Sequence, residues 1–90
     1  MSSIWTVEFD VAAHRDLLAL DPVIQRRLVQ FLRTRVTGRN SPRALGKPLK
    51  GEKTGLWRYR VGAYRIICLL ENDRHVVVVV AIGHRREVYR

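Results

Sequence analysis

The stretch GLWRYRVGAYRIICLLENDRHVVVVVAIGHRREVYR, residues 55–90, decides the fold. Val61 and Tyr64 flank Gly62-Ala63, and a two-residue connection that begins with Gly suits a type II′ turn, whose twist matches that of two antiparallel strands. The turn sets the register. With Val61 opposite Tyr64, Arg60 stands across from Arg65 and Arg58 across from Ile67 on one face, while Trp57, Tyr59, Val61, Tyr64, Ile66 and Cys68 share the other. Like charges directly opposite on a sheet repel. A hairpin that sets Arg60 beside Arg65 is therefore expected to meet an anion there; the alternative is that both guanidiniums splay into solvent at little cost.

Strands are expected at 56–61, 64–71 and 75–82, with the second turn at Asn72-Asp73-Arg74. Five successive valines, Val76 to Val80, mark the last as a central strand covered on both faces for much of its length. Upstream, Ile4 to Phe9 alternates around Trp5, Val7 and Phe9 and reads as a short strand. Asp10 is a natural N-cap for a helix over 11–20, whose Ala13, Leu17 and Leu20 recur at helical spacing. Asp21-Pro22 starts a second helix, with Ile24, Leu28, Phe31, Leu32 and Val36 in one stripe, ending near Gly38. Residues 38–55 hold four Gly and two Pro and read as one long loop. The expectation is one domain over 1–90, of α+β class: a short N-terminal strand, a two-helix hairpin, then an antiparallel three-strand meander, with the helices packed on one face of a single sheet.

Ninety residues support one modest core. Fourteen Arg and three Lys against eight acids give a formal net charge of +9, so a polyanionic partner leads, either nucleic acid or an acidic protein. Cys68 is the only cysteine and sits in an apolar strand, which excludes an intramolecular disulfide and suits a reducing compartment. The amino terminus MSSIWTVEFD lacks the basic and apolar regions of a signal peptide, and the run Val76 to Ile82 is too short to span a bilayer. A cytoplasmic protein with no membrane partner is expected.

The order of elements, together with LKGEKTGLWRYRVGAYRIIC and AIGHRREVYR, resembles the RelE branch of the RelE/ParE toxin superfamily, the messenger-RNA-cleaving half of bacterial toxin–antitoxin pairs. The resemblance covers nearly the whole chain and is specific in its second half. It implies a microbial-RNase-like fold and metal-independent cleavage of mRNA in the ribosomal A site, with the substrate's own 2′-hydroxyl as nucleophile. It also implies inhibition by a co-expressed acidic, RelB-like antitoxin in a hetero-oligomer, with no cofactor. Ala63 stands where many relatives carry Asp, and the chain stops one residue after Tyr89, so a C-terminal helix found in relatives is not expected.

Such a reaction needs a base near the 2′-hydroxyl, cations on the non-bridging phosphate oxygens and an acid at the leaving oxygen. The resemblance assigns Arg65 to the scissile phosphate, and Arg58 and Arg60 extend the cationic track on its face, as phosphate or antitoxin contacts. In the tail, Arg85 is read as stabilising transition-state charge, since a guanidinium does not serve as a base. Arg86 joins it as an RNA contact. His84 is chemically the better base, with an unperturbed pKa near 6.5, against the reading of a structural or solvent-facing histidine. Tyr89 orients the 2′-hydroxyl or stacks on a base, or else packs on the sheet. Lys47, Lys50 and Lys53 lie on the loop where relatives place basic catalytic residues; Lys50 and Lys53 are the preferred pair, and Lys47 an RNA contact. Trp57, Tyr59 and Tyr64 are read as core.

His14, His75 and His84 fall on separate elements without metal-ligand spacing, and no Gly-rich loop leads from a strand into a helix. Two competing functions use the same fold and charge: a non-enzymatic ParE-like toxin that binds DNA gyrase, and a nucleic-acid-binding module without catalysis.

Overall fold

The computed structural model describes residues 4–38, 41–49 and 55–84. In chain order the regular elements are β1 (Thr6–Phe9), α1 (Val11–Leu18), α2 (Pro22–Phe31), β2 (Lys47–Pro48), β3 (Leu56–Val61), β4 (Tyr64–Glu71) and β5 (Val76–His84). A π-helical turn, Leu32–Val36, prolongs α2, and a 3₁₀ turn, Pro42–Ala44, precedes β2.

Both helix starts follow the sequence chemistry. The Asp10 carboxylate accepts the Ala13 N–H at 2.8 Å, and the Asp21 carboxylate accepts the Val23 N–H at 3.0 Å with Pro22 in the first turn. The Gln25 amide donates to the Leu20 carbonyl at 2.8 Å and ties the bend between the helices. Leu28, Leu32 and Val36 are all buried. Eight residues of ideal α-helix would carry Val36 about 80° past Leu28. The π turn, in which the Thr37 N–H donates to the Leu32 carbonyl at 2.8 Å, winds more slowly and returns Val36 to the core.

The sheet has five strands in the order β1-β5-β4-β3-β2, with β1 parallel to β5 and every other pair antiparallel. The α+β class and the helices on one face are as expected; the strand count is larger. Part of the supposed loop 38–55 is strand, because two aromatic side chains of β3 hold it. The Trp57 indole N–H donates to the Leu45 carbonyl at 2.7 Å and the Tyr59 hydroxyl to the Pro42 carbonyl at 2.5 Å, laying Lys47–Pro48 along β3. The last strand starts and ends later than its apolar run suggests. His75 belongs to the turn, with φ of 55° and its ring 5.1 Å from that of Trp5, and pairing with β4 extends β5 to His84.

The register of β3 on β4 is the one expected, Val61 on Tyr64 and Arg60 on Arg65, and Gly62 has the positive φ, 59°, that the turn requires. Between β4 and β5 the register slips: Ile67 faces Ala81 but Cys68 faces Val79. The extra residue, Val80, is a β-bulge that lets Val77, Val79 and Ile82 all turn toward the helices despite their uneven spacing. There they meet Ala13, Leu17, Leu28 and Leu32 in one core. Beyond the end of β1, the Asp16 carboxylate of α1 accepts the Ile82 N–H at 3.3 Å.

Candidate functional site

With the helices on one face of the sheet, the other face carries no helix among the described residues, and strand alternation decides which side chains it presents. Directly paired residues share a face. Lys47, Arg58, Ile67 and Ala81 therefore make one row across β2, β3, β4 and β5, and Arg60, Arg65 and Gly83 make the next. Four cations from three strands are thereby collected on the helix-free face. Arg60 and Arg65 flank a hydrogen-bonded hairpin pair, so they form a non-hydrogen-bonded pair, the arrangement in which opposite side chains lie closest. Gly83 beside Arg65 adds no side chain to that row. Arg60 is exposed, whereas Nε and Nη1 of Arg65 are withdrawn from solvent.

At the β3 edge this face opens into a cleft of about 380 Å³ lined by Phe31, Arg35, Leu45, Gly46, Lys47, Arg58, Tyr59 and Arg60. The cleft exists because β2 pairs only with Trp57 and Arg58 and leaves the last residues of β3 uncovered on that side. Gly46 makes the crossing possible. Its φ is 74°, and a Cβ there would stand 2.3 Å from the Arg58 carbonyl oxygen and 2.8 Å from the Trp57 indole nitrogen. The Arg43 guanidinium lies 5.9 Å from the Trp57 ring centroid and donates to the Asn72 side chain at 2.8 Å. Lys47 is thus presented by a segment pinned at Pro42, Leu45 and Gly46. Sequence reading found the lysine and missed the clamp and Arg35; the available signal was Gly46-Lys47-Pro48 upstream of two aromatic strand residues.

Of the remaining site residues, His84 is paired with Tyr64 on the helix-bearing face, its ring edge-on to the tyrosine at 6.0 Å, so the sheet separates it from the face of Arg65. Lys50, Lys53, Arg85, Arg86 and Tyr89 lie outside the described residues. Trp57, Tyr59 and Tyr64 pack with the core. Burial pushes the Tyr59 hydroxyl and the Cys68 thiol well above their ordinary pKa values, which keeps both protonated and leaves neither as a nucleophile at neutral pH. Arg74 is held by Glu71 at 2.6 Å and Glu8 at 3.5 Å, away from the row of cations. Among the described residues no three His, Cys, Asp or Glu side chains are gathered as a metal ion would require, and no helix is long and apolar enough to cross a membrane.

Residues 7–89 match the family model of the ParE toxin of the type II toxin–antitoxin system parDE. Toxin RelG of Mycobacterium tuberculosis is 34% identical over 96% of this chain and 97% of its own length. Toxin RelE of the same organism is 33% identical over 93% of this chain and 84% of its own. Among solved structures, a RelBE toxin–antitoxin complex from M. tuberculosis superposes with a TM-score of 0.83 at 32% identity, over 92% of this chain and all of that one. A mutant of Escherichia coli toxin RelE in the free state gives 0.77 at 20% identity, a likeness of fold. With the family model spanning the sheet, the helices and the basic face alike, the chain is the toxin of a type II toxin–antitoxin system and belongs to the RelE/ParE superfamily.

Proposed function

We propose that this toxin is a ribosome-dependent endoribonuclease that cleaves mRNA in the A site and arrests translation in the cytoplasm. The observation that carries the reading is the pair of cation rows, Lys47 with Arg58 and Arg60 with Arg65, on the sheet face that the helices leave open. A phosphate seated there is met by guanidiniums fixed on strands, and preorganised charge of this kind is commonly the largest contribution to stabilising a phosphoryl transition state. Arg65 holds the scissile phosphate, and Arg58, Arg60, Lys47 and Arg86 track the RNA backbone. Arg85, Tyr89, Lys50, Lys53 and His84 supply the remaining charge stabilisation and proton transfer, and His84 would have to act from the sheet end rather than from the face of Arg65. The 2′-hydroxyl attacks the adjacent phosphorus, expels the 5′-oxygen and leaves a 2′,3′-cyclic phosphate, without a metal ion or cofactor. An acidic RelB-like antitoxin neutralises the toxin in a hetero-oligomer; the similar M. tuberculosis and E. coli structures include toxin–antitoxin complexes.

A second reading has its own support, since the matching family model is that of the ParE toxin: a non-enzymatic toxin that binds DNA gyrase. One experiment separates the two. Purified toxin is added to programmed ribosomes, with cut sites mapped by primer extension, and in parallel to gyrase with relaxed plasmid. Cuts confined to A-site codons with normal supercoiling are expected. Intact mRNA with inhibited supercoiling would establish the gyrase reading.

A further inference from the structure

The positive charge is unevenly divided along the chain. Up to Asp21 there are four acids and one arginine; residues 22–51 then hold eight cations and no acid. Half of those eight, Arg26, Arg27, Arg33 and Arg35, project from α2 and its π turn, and all four are exposed. Among the described residues none of them has an ion pair, because the only salt bridges join Arg74 to Glu8 and Glu71. No residue three or four positions from any of the four is acidic, although a solvated helix ordinarily gains stability from such pairs.

Their geometry is that of a continuous surface. Arg26, Gln30 and Arg33 follow i, i+4, i+7 spacing along one row, and Arg27, Gln30 and Thr34 make the adjacent one. Arg26, Gln30, Arg33 and Thr34 rim a groove against α1 whose floor includes Leu17 and Val29. Arg35 reaches the other way, into the cleft it shares with Lys47, Arg58 and Arg60. The helix cations are thus joined to the cation rows of the sheet.

We propose that this arginine face of α2 and its π turn docks on the phosphate backbone of double-helical RNA, independently of the strand that is cut. The inference rests on the reading that the toxin acts on RNA. Arginine with glutamine and threonine is the side-chain set that contacts phosphate and sugar. From Arg26 to Arg35 every fully exposed residue is polar or charged, and the apolar floor of the groove is recessed, with Leu17 buried and Val29 half-buried, so the face presents no protruding apolar anchor of the kind on which a protein partner would depend. It also lacks an exposed aromatic ring, the platform by which single strands are stacked. Duplex RNA needs neither, being recognised through its shape and its backbone.

The test is binding of the full toxin to a fluorescent RNA hairpin of about 16 base pairs, the span a duplex-binding domain covers, titrated at several salt concentrations. The variant carries Arg26→Gln, Arg27→Gln, Arg33→Gln and Arg35→Gln, with thermal melting to confirm the fold, and Arg74→Gln, at the arginine paired with Glu8 and Glu71 away from the cation rows, serves as the comparison. Affinity should fall at least tenfold in the quadruple variant, with the salt slope reduced by about one per arginine removed, while Arg74→Gln binds the hairpin as wild type does. Unchanged affinity and slope in the folded quadruple variant would overturn the proposal. So would wild-type toxin that ignores the hairpin but binds an acidic helical peptide through these arginines, which would make the face a protein interface. Hairpin binding lost in the variant but with no mRNA cleavage by wild type would sink only the nuclease reading.

Discussion

Replacing Gly46 by Ala tests whether the lysine-bearing segment is held by close backbone contact or merely passes by β3. The φ of 74° already disfavours any residue with a Cβ, at roughly 1–3 kcal/mol. The added carbon would fall 2.3 Å from the Arg58 carbonyl oxygen, a backbone atom that cannot swing aside, and 2.9 Å from Cδ1 of the largely buried Tyr59 ring. The Leu45–Pro48 segment must therefore lift, which breaks the Trp57–Leu45 hydrogen bond and leaves a partly buried indole N–H without its acceptor, a further cost of about 1–3 kcal/mol. The expected loss is about 2–6 kcal/mol, out of a total of about 5–13 for a domain of this size. Gly62→Ala is the internal control. Its φ, 59°, is as unfavourable, but the nearest atom to a new Cβ is the end of the Arg27 side chain at 4.0 Å, so only the backbone cost of about 1–3 kcal/mol applies. Urea unfolding of both variants, followed by tryptophan fluorescence, should separate them with unchanged m-values. Gly46→Ala should also weaken RNA binding by displacing Lys47, whereas Gly62→Ala should not. Equal destabilisation by the two substitutions, within about 0.5 kcal/mol, would refute the argument that close packing against β3 positions Lys47.

Arg65→Ala should lower the rate of mRNA cleavage about a hundredfold, the effect of removing one preorganised charged donor worth about 3 kcal/mol, with an unchanged circular dichroism melt; near-normal single-turnover cleavage by the folded variant would move the phosphate site elsewhere. A 2′-deoxy substitution at the cut position should abolish reaction, and cleavage of that substrate at the normal rate would eliminate 2′-hydroxyl attack. Two unit charges about 5 Å apart at an effective dielectric near 20 repel by roughly 3 kcal/mol before solvent and salt reduce it, and the exposure of Arg60 reduces it strongly. Arg60→Ala should therefore leave the free toxin as stable or slightly more so while weakening RNA or antitoxin binding. Unchanged affinities together with unchanged or lower stability would show only a solvated strand face.

The hairpin was legible because its determinants are local. Gly62 fixes the turn, the turn fixes the register, and the register fixes which face each arginine takes. The helix starts at Asp10 and Asp21 were legible for the same reason. What escaped depends on contacts between distant segments. No pattern within 38–55 marks Lys47–Pro48 as a strand, since its pairing is imposed by Trp57 and Tyr59, nine or more residues further on. The parallel pairing of β1 with β5 joins the two ends of the chain, and the bulge at Val80 is hidden within five identical side chains. The bulge explains why simple alternation fails for the end of β5, where His84 emerges beside Tyr64.

A division between the two sides of the sheet follows from these features. The helix-bearing side of the sheet is occupied by a core from which charged side chains are absent among the described residues. The opposite side holds Lys47, Arg58, Arg60 and Arg65 in rows set by strand pairing, so the backbone fixes the face and the order of these cations. Arg35 is the one helical cation that lines the cleft with three of them, and it stands there because the π turn carries the helix on past Phe31 while keeping Val36 in the core. A normal α-helical continuation would change the directions of Arg35 and Val36 together. Core packing and the reach of the basic surface are therefore coupled at one turn of helix, and a substitution there that regularises the helix is expected to alter RNA affinity as well as stability.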